Sequence, residues 1–461
     1  MYAGLGDVRA FLKSRAVTGI TTDPDGDPED PASLTPWFTT KPVLCSKRRM
    51  ISLDKHAPLT QHHALRRDQP LWAAMPGGSL RTSGTIADKA YDVIIVGAGI
   101  SGALMAHSLA GQEMKVLIVD RRRPVSGSSL ASTAMIQHEL DVPLHVLRRS
   151  IGAENARRVW QRSAAAVERI GQIIGDLDLR CAFRKKRTLF LSGEDFGARA
   201  LTTEAAARNQ VGIEATLLDG ATLRGRFGID RTAAIDSSIS ASANPAQLTA
   251  GILRSVRTRG VEIVSDVEIT DVRAFDDVVV LSTSQGALLS ARHVVFCTGY
   301  EFLEALANKS QKVISTWALA SRPRLQRPQW LDRYLVWEGS DPYLYFRSTH
   351  DGRIILGGED EDAEGAYKDE AKRDRKMRTL VEKLADLTGI AIGKPEFEWS
   401  AAFGVTPNGL PMIGRVPQMQ NVFVAMGFGG NGITFSQIAA ELISGEILGH
   451  RDADWDLFPI V

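Results

Sequence analysis

The fold of this chain is decided by the stretch "YDVIIVGAGISGALMAHSLAGQEMKVLIVDRRRP" at residues 91–124. It opens with a short apolar run rich in β-branched residues, which predicts a parallel strand buried on both faces. A G-x-G-x-x-G cluster follows at Gly97, Gly99 and Gly102, and the apolar spacing after it predicts a helix. A second predicted strand, "KVLIVD", ends on Asp120, which is placed to accept hydrogen bonds from a ribose. Together these parts predict a dinucleotide-binding unit.

Each glycine of this unit has a physical role. Gly97 permits the tight turn, Gly99 lets the backbone approach a pyrophosphate, and Gly102 lets the helix pack closely against the strand. The first turn of the helix offers unpaired N–H groups and the positive end of the helix dipole. We therefore expect Ile100 and Ser101 at the phosphates.

The G-x-G-x-x-G pattern occurs again at residues 427–432, between a strand-like run, "NVFVAM", and a predicted helix, "ITFSQIAAELISGEILG". No second strand ending in an acid follows, so this copy does not predict a second dinucleotide site. Its helix can instead direct its dipole at the N1/C2=O edge of a flavin, which becomes anionic on reduction. A plain tight turn is the alternative. The expected contacts are Gly429, Gly430, Asn431, Gly432, Ile433 and Thr434.

Two further segments favour FAD over NAD as the cofactor. "ARHVVFCTGYE" at residues 291–301 predicts a strand that runs into a Thr-Gly turn close to the dinucleotide. "RRPVSGSSLASTAMIQHELDVP" at residues 122–143 is dense in small and hydroxyl residues, which suits close approach to a planar ring and its ribityl chain. The further expected cofactor contacts are Arg121, Ser128, Ser129, Ser132, Thr133, Val267, Thr298 and Gly299.

Length and composition limit the remaining classes. The chain has 461 residues, 44% of them hydrophobic and 24% charged, which predicts a globular protein with two domains. Lysine and arginine total 55 against 54 acidic residues, so nothing indicates a nucleic-acid partner. No apolar run reaches the ~20 residues needed to cross a bilayer. The 3 cysteines predict neither a disulfide framework nor a metal site and favour a reducing compartment. We expect a cytoplasmic protein and leave peripheral membrane association open.

The first residues differ from the rest of the chain. "TTDPDGDPEDPAS" at residues 21–33 predicts a disordered or loosely packed segment. "SKRRM" at residues 46–50 is similar to the start of a twin-arginine export signal, but the residues after it are polar, which disfavours export. Whether residues 1–49 belong to the natural protein is left open, since Met50 is an alternative start.

The segments together resemble the D-amino-acid oxidase-type FAD-dependent oxidoreductases, in particular the group of γ-glutamylputrescine oxidoreductase, glycine oxidase and sarcosine oxidase. The resemblance spans about residues 66–450. Besides the motifs above it rests on "DQPLWAAMPG", "NPAQLTAGILRSVRTRGVEI", "DPYLYFRSTHDGRIILGGEDED" and "FGVTPNGLPMIGRVP". It implies oxidation of the C–N bond of an amine or amino acid by hydride transfer to flavin N5, giving an imine that hydrolyses.

The resemblance also implies an α/β architecture in two domains. A Rossmann-like FAD-binding domain of the glutathione-reductase type is expected from residues 66–145, 240–305 and 400–450. An α+β substrate domain on a mixed or antiparallel sheet is expected from residues 146–239 and 306–399. Residues 1–65 are expected as a poorly ordered extension and residues 451–461 as a C-terminal tail.

Four residues are candidates for substrate binding or catalysis. Tyr343, Tyr345 and Arg347 alternate in "YLYFRS" and are therefore expected on one face of a strand. Arg347 resembles the arginine that grips the substrate carboxylate in glycine oxidase-like proteins, and a solvent-facing arginine is the alternative. His138 lies in "TAMIQHE", which is similar to the segment over the flavin in sarcosine oxidase; a structural hydrogen bond is the alternative.

For three other features of the sequence we expect a structural role and no part in catalysis. The charge run "EDEDAE" at residues 359–364 is expected to form a solvated loop, and Asp351 with Gly352 a hairpin turn. Cys297 lies in an apolar strand run and is expected as a buried small hydrophobe rather than a flavin attachment site.

Departures from the family pattern leave the activity partly open. "SAAF" at residues 400–403 replaces a Trp-Ala-Gly-type stretch, and Asn408 stands where Asp is common. The absence of lysine between residues 343 and 358 slightly favours a dehydrogenase over an oxidase. The electron acceptor, O₂ or a quinone or another compound, is left open, as are the substrate, the oligomeric state and covalent attachment of the flavin. Oxidation of a hydroxy acid or polyol, or a non-catalytic flavin-binding subunit or sensor, are the alternative functions.

Overall fold

The computed structural model describes residues 58–307 and 311–460. The strands in these ranges are β1 (Arg66–Arg67), β2 (Lys89–Val96), β3 (Val116–Val119), β4 (Met135–Gln137), β5 (Arg184–Ser192), β6 (Thr216–Asp219), β7 (Ala233–Ser242), β8 (Glu262–Val264), β9 (Ile269–Ala274), β10 (Val279–Thr283), β11 (Leu288–Gly299), β12 (Lys312–Ala320), β13 (Tyr334–Gly339), β14 (Leu344–Ser348), β15 (Ile354–Glu361), β16 (Phe397–Val405), β17 (Met412–Arg415) and β18 (Val422–Met426). The α-helices are α1 (Leu71–Ala74), α2 (Ile100–Leu109), α3 (Ser128–Ala131), α4 (Leu144–Ile151), α5 (Ala153–Asp176), α6 (Ala198–Gln210), α7 (Gly220–Phe227), α8 (Pro245–Thr258), α9 (Glu370–Thr388) and α10 (Gly432–Ile447).

An eight-stranded sheet carries the predicted dinucleotide-binding unit. Its order is β17-β18-β11-β2-β3-β8, and the β9–β10 hairpin continues from β11. The strands from β18 to β8 run parallel to one another. Every residue of β3 is buried, as is typical of parallel strands covered on both faces. The strand–turn–helix–strand prediction for residues 91–124 is confirmed.

Helices pack around this sheet with the expected apolar faces. Helix α2 packs against both α8 and α10. Helix α8 starts at the cap residue Asn244, whose side chain accepts two backbone N–H hydrogen bonds. Helix α5 packs on α10 and on strands β4 and β7, which belong to the other sheet, and buries the stripe predicted for it at Val159, Val167, Ile170 and Ile174. Within the described ranges no helix is both long and apolar enough to cross a membrane.

A ten-stranded sheet forms the other part of the molecule. Its order is β1-β16-β12-β15-β14-β13-β5-β7-β4, with β6 beside β7. Strands β13 and β5 pair in parallel, and the other neighbours pair antiparallel. The predicted α/β fold, with a second, mixed sheet, is confirmed.

Sheet membership differs from the expected domain boundaries in four places. Residues 66–67, 135–137, 240–242 and 400–405 are expected with the FAD-binding segments but lie in the ten-stranded sheet, in β1, β4, β7 and β16. The physical reason is that strands β1 and β16 pair with each other and β4 pairs with β7, which no local pattern encodes. The division into two domains itself stays a prediction.

The two ends of the chain also bear on the expected boundaries. Residues 1–57, and with them Cys45 and the Pro/Asp-rich segment, lie outside the described residues. From residue 58 onward the expected extension packs on the body, because Leu59 and Leu65 are buried and Thr60 forms a bridge with Leu303. The C-terminal tail buries Phe458 completely.

Candidate active site

A cavity of about 530 Å³ lies where the carboxyl ends of the parallel strands face the ten-stranded sheet. Ligands of open α/β sheets bind at this edge of the parallel strands. Most of the residues predicted from the sequence line it, namely Gly97, Gly99, Ile100, Ser101, Asp120, Arg121, Ser128, Ser129, Ser132, Thr133, Val267, Thr298, Gly299, Gly429, Gly430, Asn431, Gly432, Ile433, Tyr343 and Tyr345.

At two positions of the first glycine cluster, Gly97 and Gly102, any side chain would clash with the backbone. Gly97 has φ +116°, and a Cβ there would lie 2.4 Å from the carbonyl oxygen of Cys297. A Cβ on Gly102 would lie 1.9 Å from the carbonyl oxygen of Gly97. Gly102 does not line the cavity; it lets α2 pack on the turn, which is the role predicted for it. The start of α2 therefore lies open at the cavity wall, with the N–H of Ile100 donating to Ser129 Oγ at 2.9 Å.

Asp120 ties the glycine turn to the end of β3. Its Oδ2 accepts the N–H of Ala98 at 2.6 Å, and its Oδ1 accepts the N–H of Arg122 at 2.7 Å. Burial raises the pKa of Asp120, and these two hydrogen bonds oppose the rise. Because a carboxylate has about four lone-pair positions, two remain for the ribose hydroxyls that the sequence predicts.

Two arginines beside Asp120 are held by one buried glutamate. Arg122 donates to both carboxylate oxygens of Glu301, at 2.6 and 2.7 Å, and Arg121 contacts the same carboxylate. Although burial of Glu301 opposes it, the hydrogen bonds from Arg122 hold its pKa below the usual value. The two positive charges at this end of the cavity are therefore balanced by Glu301 together with Glu268, which also pairs with Arg121.

The second glycine cluster meets the first across the cavity. Ser101 at the start of α2 and Ser436 in α10 share a hydrogen bond of 2.6 Å between their hydroxyls. The N–H of Gly430 donates to Asp141 at 2.8 Å. Thr434 is an exception among the predicted contacts: it is buried outside the cavity, where its hydroxyl donates to the carbonyl of Gln137 at 3.0 Å, because its position in α10 turns it away.

The end of the cavity away from Glu301 is aromatic and acidic. The rings of Tyr343 and Tyr345 lie 5.7 Å apart, and Gly357 makes room for the Tyr345 hydroxyl, since a Cβ there would lie 2.4 Å from it. Both oxygens of Asp360 are buried without a well-formed hydrogen bond. Burial raises the pKa of Asp360 to about 6, against the opposing effect of the nearby Thr316 and Tyr343 hydroxyls.

Arg347 and His138 do not line this cavity, and their expected roles at the substrate stay predictions. Arg347 is on the strand of Tyr345, but the segment carrying Thr133 separates it from the cavity, and its Nε donates to the Thr133 carbonyl at 2.7 Å. The His138 ring lies against Trp160 and shares a 2.6 Å hydrogen bond with the Ile239 carbonyl. This hydrogen bond agrees with the alternative given for His138, a structural rather than a catalytic role.

The expected solvated loop at residues 359–364 is wrong for its first half. Strand β15 extends to Glu361, which pairs with Ser315 of β12. The charge of Glu359, 5% exposed, is compensated by Lys376 and Lys383 of α9. Asp360, Glu361 and Asp362 all line the cavity. Lys372 pairs with Glu361 and Lys312 with Asp362, which leaves Asp360 as the acid of this run without a paired cation from the described residues.

Sequence reasoning missed several residues of the site. Asp141, Tyr300, Trp337, Asp360 and Phe403 line the cavity. A strand assignment for "RIILGGEDE" was the signal that could have found Asp360. The indole of Trp337 stacks on Phe190 at 3.8 Å, a contact between strands that no local spacing encodes.

The residues present fit a flavin dinucleotide. The first glycine turn leaves a cradle that side chains would fill, and helices α2 and α10 both begin at the cavity. Gly97, Gly99 and Asp120 would hold the adenylate half, and residues 429–433 the flavin half.

Comparison with known proteins agrees with this geometry. Residues 92–445 match the family described as FAD dependent oxidoreductase (DAO). The chain is 24% identical over 383 residues to the glycine oxidase of Geobacillus kaustophilus, covering 80% of this chain and 96% of that protein. It is 22% identical over 360 residues to the putative Rieske 2Fe-2S iron-sulfur protein YhfW of Bacillus subtilis, covering 77% of this chain and 68% of that protein.

Solved structures share the fold at low identity. The crystal structure of glycine oxidase from Geobacillus kaustophilus superposes with a TM-score of 0.67 at 20% identity, covering 81% of this chain and 98% of that one. L-amino acid deaminase from Proteus vulgaris superposes with a TM-score of 0.66 at 16% identity, covering 83% and 99%. Because the family match covers most of the sequence and the site fits its cofactor, the chain belongs to the DAO family of FAD-dependent oxidoreductases.

Proposed function

We propose that this chain oxidises the C–N bond of an amine that enters the site as a cation. When bound, FAD supplies the acceptor of the hydride at its N5 atom. The substrate carbon that carries the nitrogen loses this hydride, the nitrogen has already lost a proton, and the resulting imine hydrolyses to a carbonyl compound and ammonia or an amine. The names of the structural relatives, which include glycine oxidase and iminodiacetate oxidase, support C–N chemistry.

The observation that carries the proposal is the buried carboxylate of Asp360, which no cation of the described residues neutralises. Its two oxygens are buried at the aromatic end of the cavity, and among the described residues no cation pairs with it. A buried carboxylate without a paired cation is costly, and a substrate ammonium would neutralise its charge. Asp141 and Asp341 lie close enough to add to the rise of the Asp360 pKa.

Within the described ranges, this end of the cavity has no cation that could bind the α-carboxylate of an amino acid. Among the described residues that line the cavity, Arg121 and Arg122 are the cationic ones, and both are already paired, at the other end, with Glu301 and Glu268. A carboxylate beside Asp360 would meet like charge rather than a guanidinium. This argues for an amine over an amino acid, and equally against a hydroxy acid.

The protein's own groups then have defined roles. Asp360, with a pKa of about 6, can accept a proton from the substrate ammonium near neutral pH and so leave a neutral amine. The aromatic rings of Trp337, Tyr343 and Tyr345 can hold the apolar part of the amine and attract its charge. Aromatic walls also exclude water from the reacting carbon.

An anaerobic flavin-reduction screen tests this proposal. The holoenzyme is mixed with amines, amino acids and hydroxy acids, and bleaching of the flavin absorbance is followed. We expect reduction by one or more cationic amines and slower reduction by the matched α-amino acids. Fast reduction by amino or hydroxy acids alone would refute the proposal, and no reduction by any compound would favour a flavin-binding sensor. Repeating the turnover with O₂ and with a quinone analogue identifies the electron acceptor.

A further inference from the structure

A second cavity of about 210 Å³ lies behind the wall of the first. Four cationic side chains line it: Arg184, Lys186, Arg327 and Arg347. Its size is below the ~300–1,000 Å³ of pockets that hold drug-sized ligands. A ligand of this cavity is therefore a small group or the end of a larger molecule.

Positive charges are in excess around this cavity, because few of its cationic side chains pair with an acid. Arg327 pairs with Asp332, with 2.7 Å between Nη2 and Oδ1. Asp351, the other acid of the lining, is engaged by Arg353 at 2.9 Å. Among the described residues no carboxylate pairs with the remaining cations, Arg184, Lys186 and Arg347.

Two of the uncompensated cations are buried. Arg347 is 2% exposed and Lys186 is 6% exposed. Their partners are backbone carbonyls: Arg347 donates to those of Thr133, Ala243 and Ser348, and Lys186 to that of Asp332. Carbonyls satisfy N–H groups but do not neutralise charge, and buried charges in proteins are normally paired.

Donor groups remain for a ligand. Arg347 uses its Nε–H and one N–H on each terminal nitrogen, so two of its five N–H groups are left, and Lys186 has two of three left. Burial lowers the pKa of Lys186 to about 8, with Arg347 adding to the effect, and burial lowers the pKa of Arg347 to about 9. A bound anion would reverse both shifts.

We propose that this cavity binds a phosphoryl group, either as free phosphate or as the end of a larger molecule. Three uncompensated cations match a dianionic oxyanion better than a single carboxylate, and guanidinium and ammonium groups are the usual donors to phosphate oxygens. The site is separate from the flavin cavity and does not depend on the identity of the substrate.

The wall between the two cavities couples them. Arg347 holds the carbonyl of Thr133, and Trp72, which also lines the second cavity, donates to the carbonyl of Ser132 at 2.7 Å. Thr133 and Ser132 line the first cavity. The Arg347 guanidinium also lies over the Trp72 ring, 5.5 Å from its centroid. An anion that pulls on this guanidinium therefore shifts both residues of the flavin-site wall.

Titration of the holoenzyme tests the site. Inorganic phosphate, a nucleoside monophosphate and acetate are added at constant ionic strength, with calorimetry and the visible flavin spectrum as readouts. We expect saturable binding of one phosphate per chain, acetate at least about tenfold weaker, and a flavin spectral shift with the same midpoint. Tighter binding of the monophosphate than of phosphate assigns the site to the end of a larger molecule; equal or weaker binding assigns it to free phosphate.

Variants decide whether binding occurs in this cavity. Arg184→Gln removes an exposed cation without a burial penalty, and Lys186→Gln removes a buried one; each should weaken phosphate binding about tenfold. Arg224→Gln, at a surface arginine 61% exposed and paired with Asp230, is the matched control and should bind as the wild type. Absent phosphate binding, binding unchanged in both lining variants, or acetate binding as tightly as phosphate would each overturn the site. Binding without a spectral shift would overturn the coupling.

Discussion

Replacing Asp360 by asparagine tests the acidic end of the flavin cavity through stability. Burial raises the pKa of Asp360 from 3.8 to about 6. The folded protein therefore disfavours the ionised carboxylate, so the stability penalty is complete above pH 6 and disappears as the pH falls below 3.8. The shift corresponds to about 3 kcal/mol at pH 8 and about half of that at pH 5.

Asparagine keeps the shape of Asp360 and removes its charge. We expect Asp360→Asn to raise the free energy of unfolding of the FAD-free protein by up to about 3 kcal/mol at pH 8, with a smaller gain at pH 5. Urea unfolding of both proteins at the two pH values measures this difference. The variant should also reduce its flavin at least about tenfold more slowly with a cationic amine, since a charge-assisted hydrogen bond is lost.

Glu364→Gln is the control in the same charge run. Glu364 is 66% exposed and lies 3.5 Å from His63, so its replacement should change neither the unfolding free energy nor the reduction rate. In the wild type, reduction by a cationic amine should increase as the pH rises through about 6, where Asp360 ionises. An Asp360→Asn variant with wild-type stability at both pH values and wild-type reduction rates would refute the reasoning.

Two further predictions concern the glycine turn and the buried thiols. Gly102→Ala should abolish FAD binding, because its Cβ would lie 1.9 Å from the backbone carbonyl of Gly97, whereas Gly225→Ala, with open space around it, should leave the purified protein yellow. A yellow Gly102→Ala protein with full flavin content would contradict this. Burial raises the pKa of Cys181 to about 11 and that of Cys297 to about 12, so neither thiol should react with an alkylating reagent at pH 8 before unfolding. Peptide mapping after labelling measures this, and an alkylated Cys181 or Cys297 in the folded protein would contradict the prediction.

Local sequence predicted the part of the site that is made of backbone. Gly97, Gly99 and Asp120 lie where their spacing placed them, because one strand–turn–helix–strand unit is contiguous in sequence and its sterics are local. The second glycine cluster was placed at the same cavity by a physical argument about helix dipoles, and the Ser101–Ser436 contact shows the two helix starts together.

The spacing of residues along the sequence did not predict which side chains face the substrate end of the cavity. Arg347 and Tyr345 share one strand face, yet Tyr345 lines the flavin cavity whereas Arg347 is held by the Thr133 carbonyl outside it. Likewise the charge run predicts a solvated Asp360, whereas lysines of α9 pair with its neighbours Glu359 and Glu361 and leave Asp360 facing the cavity without a cation from the part of the chain that the structure describes.

The sequence by itself determined that the chain cradles a dinucleotide, because backbone sterics and helix ends depend on residues that are close in sequence. Only the tertiary structure decided which charged side chains face the substrate and which are paired with other side chains. Pairing, burial and the order of strands across a sheet bring together side chains such as Asp141 and Asp360 that are far apart in the chain.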